Sequence, residues 1–113
     1  MKNMKKMLVA FSVVFVLLLF SFTAEAAVVS IRNNTGFTIF YVYISDSRTS
    51  DWEEDVLGTD VFSHGDTLRV NIPAYPQFDL KVVDEDGDDA YWYNFPGSVT
   101  QITINGNGTA EYQ

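Results

Sequence analysis

The sequence predicts an all-β fold, a mostly antiparallel β-sandwich of six to eight short strands over residues 27–113. Three observations predict it. Apolar and polar residues alternate over short segments, Gly, Asn, Asp and Pro separate these segments, and no part of residues 27–113 shows a helical period. Many short strands joined by tight turns are typical of antiparallel sandwiches or small barrels. We expect a sandwich of the immunoglobulin-like or a similar type.

Residues 1–26 have the features of a secretory signal peptide. A basic stretch precedes a nearly continuous apolar run over residues 7–22, and Ala24 and Ala26 then provide the small side chains of a cleavage site. A membrane-spanning helix needs about 20 apolar residues, so this run is short for an uncleaved anchor, which is the alternative. We therefore expect a signal-peptide helix that is cleaved after Ala26, only transient contact with the membrane, and a secreted or periplasmic protein.

The N-terminal half of the domain contains three predicted strands. Residues 28–32 alternate and end at an Asn-Asn-Thr-Gly turn, and residues 38–44 are β-branched or aromatic on both faces, as in a strand buried on both sides. The segment Thr67–Ile72 alternates most regularly. Its apolar side chains all fall on one face: Leu68, Val70 and Ile72.

The C-terminal half of the domain contains four further predicted strands. They are residues 78–83, 90–95, 99–105 and 109–112. In the first of them, Asp79 and Lys81 lie on the face opposite the apolar side chains. Asp-Gly, Pro-Gly and Asn-Gly pairs separate the four segments, and such pairs are strong turn signals.

One helical turn is predicted over residues 50–56. Ser50 and Glu53 have the spacing of a capping box, in which a serine hydroxyl and a glutamate carboxylate accept hydrogen bonds from backbone N–H groups where a helix begins. The acidic residues after Ser50 lie where the helix dipole favours negative charge.

The charge and cysteine content exclude several classes of function. The chain has 113 residues and no cysteine, which excludes disulfides and cysteine-based zinc sites. Residues 27–113 carry four basic and fourteen acidic side chains, so we expect no binding to nucleic acid through its phosphates. A chain of this length forms one hydrophobic core, and we expect a single domain over residues 27–113.

An acidic loop between the fourth and fifth predicted strands is the candidate metal site. Carboxylates at alternate positions around a sharp turn suit the oxygen-ligand preference of Ca²⁺. The candidate ligands are Asp84, Asp86, Asp88 and Asp89. A helix-loop-helix calcium loop would need Gly in place of Asp89 and Glu in place of Phe95, so that motif does not match. The alternative is a solvated hairpin tip, and Ca²⁺ is the one cofactor that the sequence suggests.

A second acidic segment surrounds Trp52 and is the candidate ligand site. A flat aromatic ring can stack on a sugar ring while neighbouring carboxylates bind its hydroxyl groups, so Trp52, Asp51 and Asp55 are the candidate contacts. In the alternative, Trp52 anchors its loop to the core and the acidic groups face solvent. The expected partner is an unidentified protein or a glycan.

The sequence favours binding over catalysis, and no catalytic residue is predicted. The single histidine, His64, lies beside Ser63 and near Asp66 in a turn-like segment, and residues this close in sequence do not form a catalytic triad. We expect a non-enzymatic module that binds through its loops, with Ca²⁺ as a structural ligand only if the acidic loop is a metal site rather than a solvated hairpin tip. The alternatives are a carbohydrate-binding module, a small structural or assembly protein, and a small hydrolase with two facing carboxylates.

A series of turn and core residues resembles the pattern of a known type of protein. Over residues 33–89 the motifs N-x-T-G, Y-I-S, W-x-x-D-x-L-G, F-D-L and D-x-D-G follow one another. This order is similar to that of a loosely defined group of small secreted bacterial β domains whose activity is not established. The resemblance implies a secreted β domain and no particular functional residue. Members often carry a pair of cysteines near the later strands, which this chain lacks.

Overall fold

The computed structural model describes residues 27–113, which form seven strands and no helix. The strands are β1 (Ala27–Asn34), β2 (Ile39–Asp46), β3 (Thr67–Ile72), β4 (Gln77–Asp84), β5 (Asp89–Pro96), β6 (Gln101–Asn105) and β7 (Ala110–Tyr112). The all-β prediction is confirmed, and each predicted strand corresponds to one of the seven. The expected signal peptide lies outside the described residues. Within residues 27–113 there is no helix that could cross a membrane.

The strands form two sheets that pack together as a β-sandwich. The larger sheet has the strand order β3-β1-β6-β7, and the smaller sheet has the order β2-β4-β5. All neighbouring strands are antiparallel except β1 and β6, which run parallel with Ile31 opposite Ile102. The sequence does not predict this parallel pair, because the two strands are far apart in the chain and no hairpin joins them.

The hydrophobic core lies between the two sheets. The strands alternate, so every second side chain points inward. The fully buried apolar side chains of the core include Val29, Ile31, Val42, Phe78, Leu80, Ile102 and Ile104. The rings of Phe78 and Phe95 pack there with their centroids 5.4 Å apart. Burial of each such side chain contributes about 2 kcal/mol to the free energy of unfolding. The side chains on the outward faces of the two sheets take no part in this core.

The predicted helical turn over residues 50–56 is wrong, because this segment is irregular and extends along β2. The backbone N–H of Glu53 donates a hydrogen bond of 2.9 Å to the hydroxyl oxygen of Ser45. The N–H of Val56 donates one of 2.8 Å to the carbonyl oxygen of Val42. Backbone groups that a helix would pair internally are therefore bonded to the edge of a strand, and tertiary contacts override the local capping signal.

Candidate functional site

Aromatic side chains cover the outward face of the three-stranded sheet. Its edge strands, β2 and β5, each carry two tyrosines at alternate positions, so both tyrosines of a pair point away from the core. A tryptophan from the connection between β2 and β3 lies beside them. We name this surface the aromatic face, formed by Tyr41, Tyr43, Trp52, Tyr91 and Tyr93.

The tyrosine pairs of the aromatic face have nearly parallel rings. The ring centroids of Tyr91 and Tyr93 are 6.2 Å apart, and their planes differ by 5°. Those of Tyr41 and Tyr43 are 6.4 Å apart, and their planes differ by 14°. Tyr91 is 40 % exposed and Tyr93 is 61 % exposed. Contiguous exposed aromatic surface of this kind is typical of a binding site.

Lys81 of β4 joins the two tyrosine pairs into one surface. In the strand register it lies opposite Tyr43 on one side and opposite Tyr91 on the other. Its Nζ atom is 5.3 Å from the ring centroid of Tyr43 and 5.4 Å from that of Tyr91, within the range of cation–π attraction. The ammonium group therefore restrains a ring on each edge strand.

Trp52 extends the aromatic face beyond the sheet. Its ring centroid is 6.1 Å from that of Tyr91, and the two planes are tilted by 41°. Trp52 is half-buried, and the hydrogen bond from the N–H of Glu53 to Ser45 fastens its segment to β2. The residue thus combines the two arrangements that the sequence suggests, a loop anchor and a ring partly open to solvent.

A small polar cavity opens beside Trp52 and Tyr93, with a volume of about 170 Å³. Its lining combines two rings, two carboxylates and three hydroxyl-bearing side chains: Trp52, Tyr93, Asp51, Asp79, Ser45, Thr49 and Ser50. The structure thus brings together two of the residues predicted as ligand contacts, Trp52 and Asp51. It adds a second carboxylate, Asp79, and the ring of Tyr93.

Asp79 is the buried charged group of this cavity. It is 9 % exposed, although it lies on the outward face of β4, because the connection that follows β2 covers this end of the sheet. Its Oδ1 atom accepts hydrogen bonds from the Ser47 hydroxyl at 2.5 Å and from the backbone N–H of Asn94 at 2.9 Å. Asn94 has a φ of 65° where the pairing of β4 and β5 is irregular, and this local bend allows its N–H to reach the carboxylate.

Asp55, the third residue predicted as a ligand contact, does not line the cavity. Its Oδ1 atom accepts hydrogen bonds from the backbone N–H groups of Val42 at 2.8 Å and Leu57 at 3.1 Å. Its Oδ2 atom accepts one from the N–H of Gly58 at 3.1 Å. Both oxygens are therefore engaged in holding the connection against the edge of β2, which is a structural role.

The burial of β2 differs from the sequence-based expectation for residues 38–44. The expectation of a strand buried on both faces is wrong, since β2 is an edge strand and Tyr41 is 45 % exposed. The signal that could have identified the face is the spacing of two residues within each tyrosine pair, Tyr41 with Tyr43 and Tyr91 with Tyr93. Asp79 carries no such signal, because its burial depends on a distant loop.

The acidic loop between β4 and β5 brings together three of its four predicted metal ligands. Asp84, Asp86 and Asp88 each offer a carboxylate oxygen, and these three atoms lie within 4.8 Å of one another. The Oδ1 atom of Asp84 also accepts hydrogen bonds from the backbone N–H groups of Asp86 at 2.9 Å and Asp88 at 3.0 Å. Asp89 lies outside this group, and its Oδ2 atom accepts a hydrogen bond of 3.0 Å from the Tyr91 hydroxyl.

The lone histidine, His64, helps to fasten a turn. Its Nδ1 atom accepts a hydrogen bond of 3.0 Å from the backbone N–H of Gly36. Its neighbour Asp66 accepts one of 3.0 Å from the N–H of Ser63. These contacts give the segment 63–66 a structural role in joining the turn after β1 to the loop before β3.

One ion pair occurs among the described residues, and it lies at the end of β2. The Nη2 atom of Arg48 is 2.6 Å from the Oδ2 atom of Asp46. The hydrogen bonds from the Arg48 side chain, followed by the bond from its backbone N–H, lower the pKa of Asp46 below its ordinary value. The pair holds the first residues of the connection that covers Asp79.

Comparisons with known proteins bear on the fold. No protein-family model and no curated protein matches the chain. Among solved structures, the NMR structure of a protein from Eubacterium rectale is similar, with a TM-score of 0.56 and 12 % sequence identity. The likeness covers 79 % of this chain and 87 % of that one. At this identity the two proteins share a fold, and the comparison supports the sandwich described above.

Proposed function

We propose that residues 27–113 form a non-enzymatic module that is exported by the segment 1–26 and binds a glycan through the aromatic face. The single observation that carries this proposal is the exposed, parallel pair of Tyr91 and Tyr93 beside a polar cavity. The proposal includes a secreted or periplasmic location, in agreement with the resemblance to small secreted β domains. It assigns binding to the face of a sheet together with the loop that carries Trp52.

The chemistry of a sugar ring matches both parts of this surface. The C–H groups on one side of a pyranose pack against an aromatic plane, and the hydroxyl groups around its edge need hydrogen-bond partners. The tyrosine pairs supply the planes, and the carboxylates and hydroxyls of the cavity supply the partners. A purely apolar protein partner would offer no donor to the Oδ2 atom of Asp79, which is not engaged by Ser47 or Asn94, so the combination favours a glycan.

Isothermal titration calorimetry with a panel of tetrasaccharides tests the proposal. The Tyr93→Ala variant should weaken binding by about tenfold, which is about 1.4 kcal/mol, because it removes an exposed stacking surface. Tyr112→Ala is the matched control, since Tyr112 is 54 % exposed on the four-stranded sheet. Equal losses in the two variants, or no binding of any tetrasaccharide by the unchanged protein, would contradict glycan binding.

We also propose Ca²⁺ as a structural ligand of the acidic loop. This second property is favoured by one observation, the approach of three carboxylate oxygens to within 4.8 Å of one another. Like charges at this separation repel each other, and a bound cation would offset the repulsion. A comparison of melting temperatures with and without calcium tests it.

A further inference from the structure

The second oxygen of Asp79 has no hydrogen-bond donor among residues 27–113. The Oδ1 atom accepts two hydrogen bonds, from Ser47 and Asn94, whereas no described residue donates to Oδ2. The side chain is 9 % exposed and lines the cavity beside Trp52. A buried carboxylate oxygen without a donor is costly, so this position suits a donor that a ligand brings.

The charge of Asp79 also lacks a compensating cation within the described part of the chain. The ion pair found there joins Arg48 to Asp46. Lys81, two positions along β4, holds its ammonium group over two tyrosine rings instead. A second carboxylate, Asp51, lines the same cavity and adds to its negative potential. A ligand group that carries a positive charge would therefore be favoured here.

The remaining walls of the cavity also suit a cation. The rings of Trp52 and Tyr93 line it, and the electron-rich face of an aromatic ring attracts an ammonium group. A volume of about 170 Å³ has room for one substituent of a sugar, while the rest of an oligosaccharide would lie on the open aromatic face. The cavity thus combines negative charge, aromatic ring faces and hydroxyl groups, and its size suits one amino group of a ligand.

We infer that the cavity beside Asp79 makes the aromatic face selective for glycans whose sugars carry a protonated amino group, as glucosamine units do. The inference rests on the proposed glycan binding and adds the class of sugar. The ammonium group donates a hydrogen bond to Oδ2 of Asp79, Asp51 contributes a second negative charge, and the sugar ring lies against Tyr93. The excess of acidic residues in 27–113 favours the same class through long-range attraction.

Calorimetric titrations of the full exported protein with three tetrasaccharides test this inference. The probes are a glucosamine tetramer with free amino groups, its fully N-acetylated counterpart and tetragalacturonic acid. The glucosamine tetramer should bind on the order of tenfold more tightly than the N-acetylated one, because acetylation removes the charge and the charged hydrogen bond. The acidic tetramer should bind most weakly, because its carboxylates meet those of the cavity.

Three substitutions separate a specific amine site from general charge attraction. Asp79→Asn keeps the shape of the side chain and should bring the affinities for the amino and N-acetylated tetramers together. Asp51→Asn should reduce the preference in part, and Asp51 is exposed at the cavity, so the fold is not at risk. Asp60→Asn removes the same charge from an exposed residue that lines a different depression, and it should leave the preference unchanged.

Each other outcome has a defined meaning. Equal affinity for the amino and N-acetylated tetramers, with the Tyr93→Ala loss retained, would overturn the inference and leave glycan binding in place. A preference that survives in Asp79→Asn, loss of the preference in Asp60→Asn, or tighter binding of the acidic tetramer would overturn it as well. If none of the three probes and no neutral tetrasaccharide binds, the proposed function itself fails.

Discussion

The side-chain amide of Asn33, at the end of β1, donates a hydrogen bond of 2.9 Å to the carbonyl oxygen of Phe62, 29 residues further along the chain. The same amide donates one of 2.9 Å to the carbonyl oxygen of Phe37. The Oδ1 atom accepts bonds from the backbone N–H of Thr35 at 2.9 Å and from its hydroxyl at 2.6 Å. Asn33 is fully buried, and this one side chain therefore joins the turn after β1 to the loop before β3.

Replacement of Asn33 by Ala should lower the free energy of unfolding by about 2–4 kcal/mol, because it removes the four hydrogen bonds of a fully buried side chain, one of them to the buried carbonyl oxygen of Phe62. Urea denaturation followed by circular dichroism measures this change. The adjacent Asn34→Ala is the control, since its side chain makes an exposed bond to Asn105 and its loss should cost less than about 1 kcal/mol. Similar losses of unfolding free energy in the two variants would contradict the role of Asn33 in joining the turn and the loop.

Replacement of Gly97 by Ala should destabilise the turn between β5 and β6. A Cβ atom at this position would overlap the carbonyl oxygen of Tyr75 and lie 3.0 Å from that of Pro76. Both obstacles are backbone atoms, so relief requires a shift of the chain, and we expect a loss of about 2 kcal/mol. The exposed neighbour Ser98→Ala should change the stability by less than about 0.5 kcal/mol in the same denaturation experiment.

The ion pair of Asp46 and Arg48 should make part of the stability depend on pH. The pKa of Asp46 is lowered from 3.8 in the folded protein, chiefly by the hydrogen bonds from the Arg48 side chain. The stabilising contribution is therefore complete above the ordinary carboxyl pKa and is lost as the pH falls through the lower, folded value. Asp46→Asn should melt below the unchanged protein at neutral pH, and this difference should shrink in strong acid.

Thermal melts at neutral pH and at about pH 2 measure this difference for Asp46→Asn. Asp60→Asn serves as the control, because Asp60 is exposed and belongs to no ion pair among the described residues. A constant difference between Asp46→Asn and the unchanged protein at both pH values would show that the ion pair does not couple folding to protonation.

Calcium should raise the melting temperature if the acidic loop binds it. At a hundredfold excess of free Ca²⁺ over Kd, a single site stabilises the folded state by about 2.7 kcal/mol. Asp86→Asn is the informative variant, because the carboxylate of Asp84 also bonds to backbone N–H groups and its loss would disturb the turn without any ion. Melts with calcium, magnesium and EDTA should show a calcium-specific rise that Asp86→Asn abolishes, and equal melting temperatures would exclude the site.

The local parts of the candidate site could be predicted from the sequence, and the assembled site could not. Trp52 and Asp51 are recognisable because an aromatic ring beside a carboxylate is a local pattern, and both line the cavity. Asp55 shows the same local pattern, but its carboxylate accepts a hydrogen bond from the edge of β2. The residues next to Asp55 in the sequence do not indicate where it will lie relative to that strand. The alternation that puts Asp79 on the outward face of β4 cannot indicate that a connection from β2 will bury it.

The sequence by itself determined the strand content, because alternation of apolar residues and the preferences of Gly, Asn, Asp and Pro in turns act between near neighbours. The regular alternation of Thr67–Ile72 appears unchanged as β3. Only the tertiary structure decided the parallel pairing of β1 with β6, the meeting of Tyr43, Lys81 and Tyr91 in one row, and the burial of Asp79. These features depend on which distant segments pack together, and that choice is made by burial of the whole core rather than by any short stretch of chain.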